Sequence, residues 1–572
     1  MWQNAEFQAR EEAVAGQSEV SLIRHDPQPR DAARGGGTDH LELELHLSGG
    51  GAVRDLAVTS SGHQGFSEIF LTAPNLNGIE IAHPLQVVYQ GLDPEHPDAQ
   101  FGRQWMFSPP PMVLPFHASD GWYGVALAAP QGLNMFSGWS YRPSATDRLR
   151  YTGGGAASAD TAANGGTAAT TAAGAAGTGP ATPGPADGGE ATDHASASSI
   201  PSSFTLEIHY DGYFAGTGHV ASVFLLTQPR ETAREVILWY AELLREKGWA
   251  PRPEREPAGW WREPLLCPWG EQVNQGGAKG PSGYGSVEIN MYETQANQER
   301  FNRLLEERGV PVGVVSMSDK WQLHRERMVP DTFKYPDLRG FVDGQHAAGR
   351  HVIAWYGTWR VDDPPADWCL RTQKGERLSV DPESEGFASQ LAAGIRELIS
   401  PDGYDVDGFF VDFTSEVPVR ENLQKAGGKW GFELLHHYLK IIHDSAKAVK
   451  PDAMIMTHCP HPLFTDVTDV LRLNDWAFRR PDVVEQARYR HGIASAVSDW
   501  LINTDNWFMY DISEWRRYLR VQPELGIPAS WYAVGVRGDG THRYEAFTED
   551  DYREWARIWT EYRRSAGLDV VE

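Results

Sequence analysis

The stretch Asp407-Gly-Phe-Phe-Val-Asp412-Phe-Thr-Ser-Glu416 decides how the chain reads. Its unbroken apolar run fits a strand covered on both faces, as in a parallel sheet, and an acid stands where the strand stops. Outward from it, seven segments share that form: 265–269, 312–317, 351–356, 453–458, 470–475, 500–503 and 527–533. Amphipathic helical patterns fill most of the gaps, at 295–308, 336–348, 386–399, 430–449, 481–492, 513–525 and 549–564. The gap between the fifth and sixth strands holds only a turn. Strands alternating with helices pair in parallel through right-handed crossovers. Eight such units within 259–572 predict a (β/α)8 TIM barrel, with an open doubly wound sheet as the alternative. No GxGxxG follows an early strand and no Walker motif exists, so nucleotide-binding versions lack their signature.

Upstream the period changes to two. Leu41-Glu-Leu-Glu-Leu-His-Leu47 and Phe204-Thr-Leu-Glu-Ile-His-Tyr210 alternate apolar with polar residues, and short apolar pieces lie between Gly, Pro and Asn turns. Residues 39–230 therefore read as an antiparallel β-sandwich domain preceding the barrel. Inside it, 153–199 holds no Lys, Arg, Leu, Val or Phe and reads as a disordered Ala/Gly/Thr-rich insertion. Residues 231–258 carry a linking helix, and 1–38 read as a polar, poorly ordered N-terminal segment.

A net charge of −26 without any Lys/Arg block argues against nucleic acid and anionic membrane as partners. No apolar run approaches the roughly 20 residues of a membrane span. Cys267, Cys369 and Cys459 are far apart, with no CxxC and no Cys/His zinc spacing, so the expectation is a cytoplasmic, cofactor-free and metal-free protein. The 21 Trp residues, set among many acids, suit a carbohydrate partner: flat rings cover C–H faces and carboxylates take hydroxyl hydrogen bonds.

Barrel enzymes place their chemistry at the carboxyl ends of strands. There the chain carries Trp269, Asp319, Trp321, Trp355, Asp412, His458, Cys459, Asp475, Trp476 and Asp505. Asp412 and Asp475, ending the fourth and sixth strands, can flank a glycosidic bond as nucleophile and general acid/base. The plainer reading has each acid capping a strand or pairing with an arginine, such as Arg472 three residues before Asp475. Asp505 is the alternative acid. His458 and His461 do not make a metal site of the amidohydrolase type, which needs His-x-His after the first strand. The glycine-rich stretch 276–285 lacks phosphate-loop order and reads as a rim loop.

Several elements resemble the melibiases, the α-galactosidase family 36 of glycoside hydrolase clan D. Arg262-Glu-Pro-Leu-Leu-Cys-Pro-Trp269-Gly-Glu271 is similar to their first strand, and Asp319-Lys-Trp-Gln322 to their Asp-Gly-Trp-Gln element. Phe333-Lys-Tyr-Pro336 and Gly349-Arg-His-Val-Ile-Ala-Trp355 are similar to their third unit, and His458-Cys459 with Arg472-Leu-Asn-Asp475 to their fifth and sixth strands. The stretch 407–416 resembles instead the α-glucosidase family 31 of that clan. The resemblance implies Asp412 as nucleophile, Asp475 as acid/base, Asp319 and Trp321 on the distal hydroxyls, and Arg472 and Cys459 on the acid/base side. Trp269, Trp355 and Trp476 complete the expected substrate-binding set. Where melibiases carry a Lys two residues before the nucleophile, this chain has Phe410.

The expectation is thus a retaining α-glycosidase, α-galactosidase-like or a related exo-acting hydrolase. A non-catalytic carbohydrate-binding protein on a degenerate barrel and a transglycosidase with the same acid pair are the alternatives, and homo-oligomerisation stays open.

Overall fold

The computed structural model describes residues 1–28, 38–63, 65–66, 68–70, 109–143, 150–152, 202–252, 256–276, 289–418, 423–473, 475, 481–538 and 543–568. Eight short parallel strands form the barrel. In chain order they are Leu265–Leu266, Val314–Met317, His351–Gly357, Gly408–Asp412, Met454–Thr457, Val470–Arg472, Leu501–Asn503 and Ala529–Ser530. From the first to the seventh, each pairs with the next in sequence, and the eighth pairs with the first. The seam between the seventh and eighth is closed by Ile527 N–H donating to Ile502 O (2.7 Å) and Thr504 N–H donating to Ile527 O (3.0 Å). Buried apolar side chains line these strands, because helices cover the outer face and side chains fill the inside. The fifth and sixth strands are joined through a single turn of 3-10 helix, Pro462–Phe464.

One barrel element departs from expectation. Trp269 does not end a strand but opens a helix, Trp269–Gly276, because Pro268 O already accepts from the backbone N–H groups of Glu271 (3.0 Å) and Gln272 (3.1 Å). Glu271 is buried and its Oε1 accepts from the backbone N–H of Ala533 (2.8 Å) and Val534 (2.7 Å). That acid therefore locks the first rim element to the segment after the eighth strand.

The N-terminal region is two sheets face to face. One runs Glu6–Ala15, Ala52–His63, Ser202–Phe214, Gly138–Pro143; the other runs Glu19–His25, His40–Ser48, Gly218–Leu226, Gly121–Ala128, Val113–Ala118, Glu68–Phe70, Arg150–Thr152. All pairings are antiparallel except the last, between Glu68–Phe70 and Arg150–Thr152. The expectation of poor order for 1–38 is corrected: its described residues include two edge strands. An edge strand needs only one modestly apolar face, here Phe7 and Ala9, then Val20 and Leu22, while backbone pairing supplies the rest. The charges that made the segment look unstructured lie on the outer side, where they discourage edge-to-edge pairing. The insertion 153–199 lies outside the described residues.

The linking helix, Ala233–Glu246, starts with a capping box in which Thr232 and Glu235 satisfy each other's backbone N–H groups. Its buried Tyr240 hydroxyl lies 2.9 Å from Nε2 of the barrel's His461. A second tie is Glu433, in the first turn of the helix Gly431–Lys447, whose Oε1 accepts from both the backbone N–H and the side-chain amide of Asn134 (3.1 Å each). At the far end of the chain, the helix Glu549–Ser565 returns to the start of the barrel: Tyr562 donates to Arg262 O (2.9 Å) and Arg563 pairs with Glu263 (3.1 Å). One apolar core runs from the sandwich through the linking helix into the barrel.

Replacing Glu433 by Ala leaves two buried donors of Asn134 without their acceptor. The expected cost is about 1–3 kcal/mol, read as a lower denaturant midpoint with an unchanged slope; an unmoved midpoint contradicts the role given to this tie.

Candidate active site

The carboxyl ends of the strands form a rim with an unusual backbone. Lys320, Trp359, Phe413, Asp505 and Phe508 all have positive φ, between 54° and 74°. They stand within a few residues of the ends of the second, third, fourth and seventh strands. Left-handed backbone is costly for residues with a Cβ, and such positions cluster at functional sites.

Asp412 is the last residue of the fourth strand. Its Oδ1 accepts from Phe413 N–H (2.9 Å) and its Oδ2 from Trp355 Nε1 (3.2 Å) on the neighbouring third strand. Its own carbonyl accepts from Thr358 N–H (3.0 Å) and Thr358 Oγ1 (2.8 Å), fixing the strand end.

Arg472 ends the sixth strand and is buried, with its guanidinium 4.5 Å from the centre of the Phe410 ring. Three carboxylates surround it. Nη2 donates to Asp475 Oδ1 (3.0 Å) and lies 3.8 Å from Asp412 Oδ1, while Nε lies 3.2 Å from Asp505 Oδ2. Register explains the third contact: Arg472 pairs with Asn503 on the seventh strand, so Asp505 follows just beyond. The turn at Asp505 is held by Trp507 N–H donating to Oδ1 (2.7 Å).

Arg472 and Arg490 bring two positive charges to three carboxylates, and the surroundings of each acid decide which one stays charged. Burial pushes Asp412 up, but Arg472, His458 and the N–H groups of Phe413 and Trp355 outweigh it and hold its carboxyl below the usual range. Burial drives Asp475 the other way, well above the usual range; Arg472 opposes this, while Asp505 and Asp412 reinforce it by repulsion. Arg472 lies nearer to Asp475, yet Asp412 is the one held low, because it also accepts two further N–H bonds. Burial raises Asp505 as well. Burial also pushes His458 down to about 3, so its charge helps Asp412 only in acid, and at neutral pH Arg472 and Arg490 carry the standing positive charge.

Exposure separates the three acids. The side chains of Asp412 and Asp475 are 17% and 16% exposed, whereas Asp505 is at 0%.

The other expected residues divide. Asp319 lies at the rim but is held by Arg325, with Nε at 3.3 Å and Nη2 at 3.2 Å. Trp321 is wholly buried and donates through Nε1 to Trp355 O (2.7 Å), so it braces the third strand and presents no ring face to the rim. Cys459 is also buried. Trp269 is half-buried, edge-on to Trp507 at 6.3 Å. Trp476 and all of the glycine-rich stretch 276–285 but Gly276 lie outside the described residues. Sequence reasoning missed Arg325, which has no strand-end position to mark it, and treated Asp505 as a rival to Asp475 although both meet the same guanidinium.

No protein-family model and no curated protein matches this chain. Solved structures do. The glucosidase II α subunit in its DNJ-bound form aligns with a TM-score of 0.52 at 10% identity over 98% of this chain. What the two share is the fold, an eight-stranded parallel barrel preceded by antiparallel sheets. The cycloalternan-forming enzyme from Listeria monocytogenes, solved with a pentasaccharide substrate, gives 0.52 at 10% identity over 98%. A point mutant of Kfla1895 gives 0.51 at 12% identity over 99% of this chain and 81% of its own. The chain spans 59% of the glucosidase II subunit and 49% of the cycloalternan-forming enzyme. No helix among the described residues is long and apolar enough to cross a membrane.

The raised carboxyl of Asp475 has a consequence for stability. Its folded state binds a proton more tightly than the unfolded chain does, so its contribution is complete below the ordinary value of 3.8 and is lost as pH rises through the folded value. Asp475→Asn removes that loss. The variant is expected to melt higher than wild type at pH 8, by a margin that closes as pH falls toward about 4; calorimetric scans at three pH values measure it, and a margin that widens toward acid pH contradicts the assignment.

Proposed function

We propose that the protein is a retaining α-glycosidase with Asp412 as nucleophile and Asp475 as general acid/base. The observation that carries this reading is one guanidinium shared by two partly exposed carboxylates whose proton affinities are pushed in opposite directions. A nucleophile has to be ionised and an acid has to keep its proton near neutral pH. Two oxygens that contact one nitrogen at 3.0 and 3.8 Å fit the roughly 5–5.5 Å spacing of retaining carboxyls better than the roughly 6.5–9.5 Å of inverting ones. Asp505, closed off from solvent, is unsuited to protonate a leaving group.

In this scheme Asp412 attacks the anomeric carbon while Asp475 protonates the glycosidic oxygen, and the aglycone departs. Asp475, now ionised, takes a proton from water, which attacks the anomeric carbon and releases the sugar from Asp412. Arg472 gains importance once Asp475 has lost its proton, because it then faces the full charge of that carboxylate. Phe410 fits the scheme: it offers the guanidinium an aromatic face where a melibiase would place a second cation.

The likeness to glucosidase II favours an α-glucoside over the α-galactoside suggested by the sequence motifs. A panel of aryl α-glycosides (gluco, galacto, xylo, N-acetylgalactosamino, rhamno) decides between them. Transfer to a sugar acceptor is the second reading, favoured by the fold shared with the cycloalternan-forming enzyme; it requires transfer product to exceed hydrolysis at high acceptor concentration.

Asp412→Ala is expected to lower turnover of the best aryl glycoside by on the order of 10⁴-fold or more. Asp412→Gly with azide recovers part of the rate as a glycosyl azide. Full activity in Asp412→Ala removes the scheme, and sugar binding without cleavage of any member of the panel by the wild type makes the chain a binding protein.

A further inference from the structure

Outside the barrel, the richest group of metal-ligating side chains among the described residues lies on the seven-stranded sheet of the sandwich. In His40–Ser48 the period of two sends Leu41, Leu43, Leu45 and Leu47 into the core and puts Glu42, Glu44 and His46 together on the other face. The flanking strands add to that face. His219, on Gly218–Leu226, pairs in register with His46, and the register shift after His219 is a local break in the ladder. His25, at the end of Glu19–His25, pairs with Glu42.

The resulting contacts are close. Glu42, Glu44 and His219 each offer one ligand atom, and these atoms lie within 4.8 Å of one another. Glu44 holds two imidazoles besides, with His46 Nε2 at 3.0 Å and His25 Nε2 at 3.3 Å. The His46 and His219 rings stack at 5.3 Å. Ser222 donates to Glu42 (2.9 Å) and meets His219 Nε2 at 2.9 Å, so the hydroxyl ties the two ligands together. Lys247 pairs with Glu42 at 2.8 Å, and Trp249 covers the His219 side with ring centres 5.7 Å apart. The group is thus half-buried beside the end of the linking helix, and hydrogen bonds tie its members together.

We propose that Glu42, Glu44, His46 and His219, with His25 at the rim, bind a first-row transition dication of the zinc class. Imidazole and carboxylate together suit Zn²⁺, Ni²⁺ and Cu²⁺ and disfavour Mg²⁺ and Ca²⁺, which take oxygen ligands. Lys247 is the cation now nearest the carboxylates, and the dication shares Glu42 with it. The ion would staple the edge strand Glu19–His25 to its neighbours, and the site is independent of the barrel reading.

The test uses the full chain stripped with EDTA and dialysed. Calorimetric titration with Zn²⁺ is expected to show one saturating site, which Mg²⁺ does not fill. Glu44→Gln and His219→Gln each weaken it by about tenfold or more, and Zn²⁺ raises the melting temperature of wild type but not of the Glu44→Gln/His219→Gln double variant. Equal Zn²⁺ affinity in wild type and double variant overturns the proposal, since the ion then binds elsewhere among the 20 histidines. A second measurement needs no variant: Cu²⁺-loaded wild type is expected to show nitrogen hyperfine splitting from two or more imidazoles, and its absence equally overturns the site.

Discussion

The meeting of three acids at the rim depends on one buried arginine. Arg472 faces three carboxylates from the fourth, sixth and seventh strands, which are distant in sequence between 412 and 505 and are brought together by barrel closure. In water such contacts would be worth little. In a largely buried site, an excess of carboxylates over cations favours proton uptake. The N–H groups of Phe413 and Trp355, both aimed at Asp412, then decide where the proton goes. Fold and chemistry meet here: strand register sets the distances, and the distances set the proton.

The eight barrel strands were legible because strands buried on both faces read as short apolar runs, and the helices because their periodicity and glycine stops are local. The two N-terminal strands were not, since an edge strand advertises itself by pairing and not by composition. Trp321 shows a different limit. A tryptophan after a barrel strand looks like a sugar platform, but its indole nitrogen finds Trp355 O in the core. Asp412 and Asp475 were readable as a pair from strand ends, while Arg472 entered only as a neighbour of Asp475 and through the family resemblance. That Asp505 shares their arginine was not readable, because it follows from pairing between the sixth and seventh strands.

The same reasoning covers the sandwich cluster. Its ligands sit at 25, 42–46 and 219, spacings that match no metal motif, and only the antiparallel register makes neighbours of them. A fold built mainly of sheets hides its side-chain clusters from sequence inspection more thoroughly than a helix does, where neighbours are three and four residues apart.

The last helix adds a point about how the barrel is laid out. Tyr562 and Arg563 bind the residues just ahead of the first barrel strand, on the end of the cylinder remote from its mouth. Entry to and exit from the barrel thus share one corner. Residue 568 therefore lies near the floor of the barrel, at the end opposite the rim that carries Asp412 and Asp475.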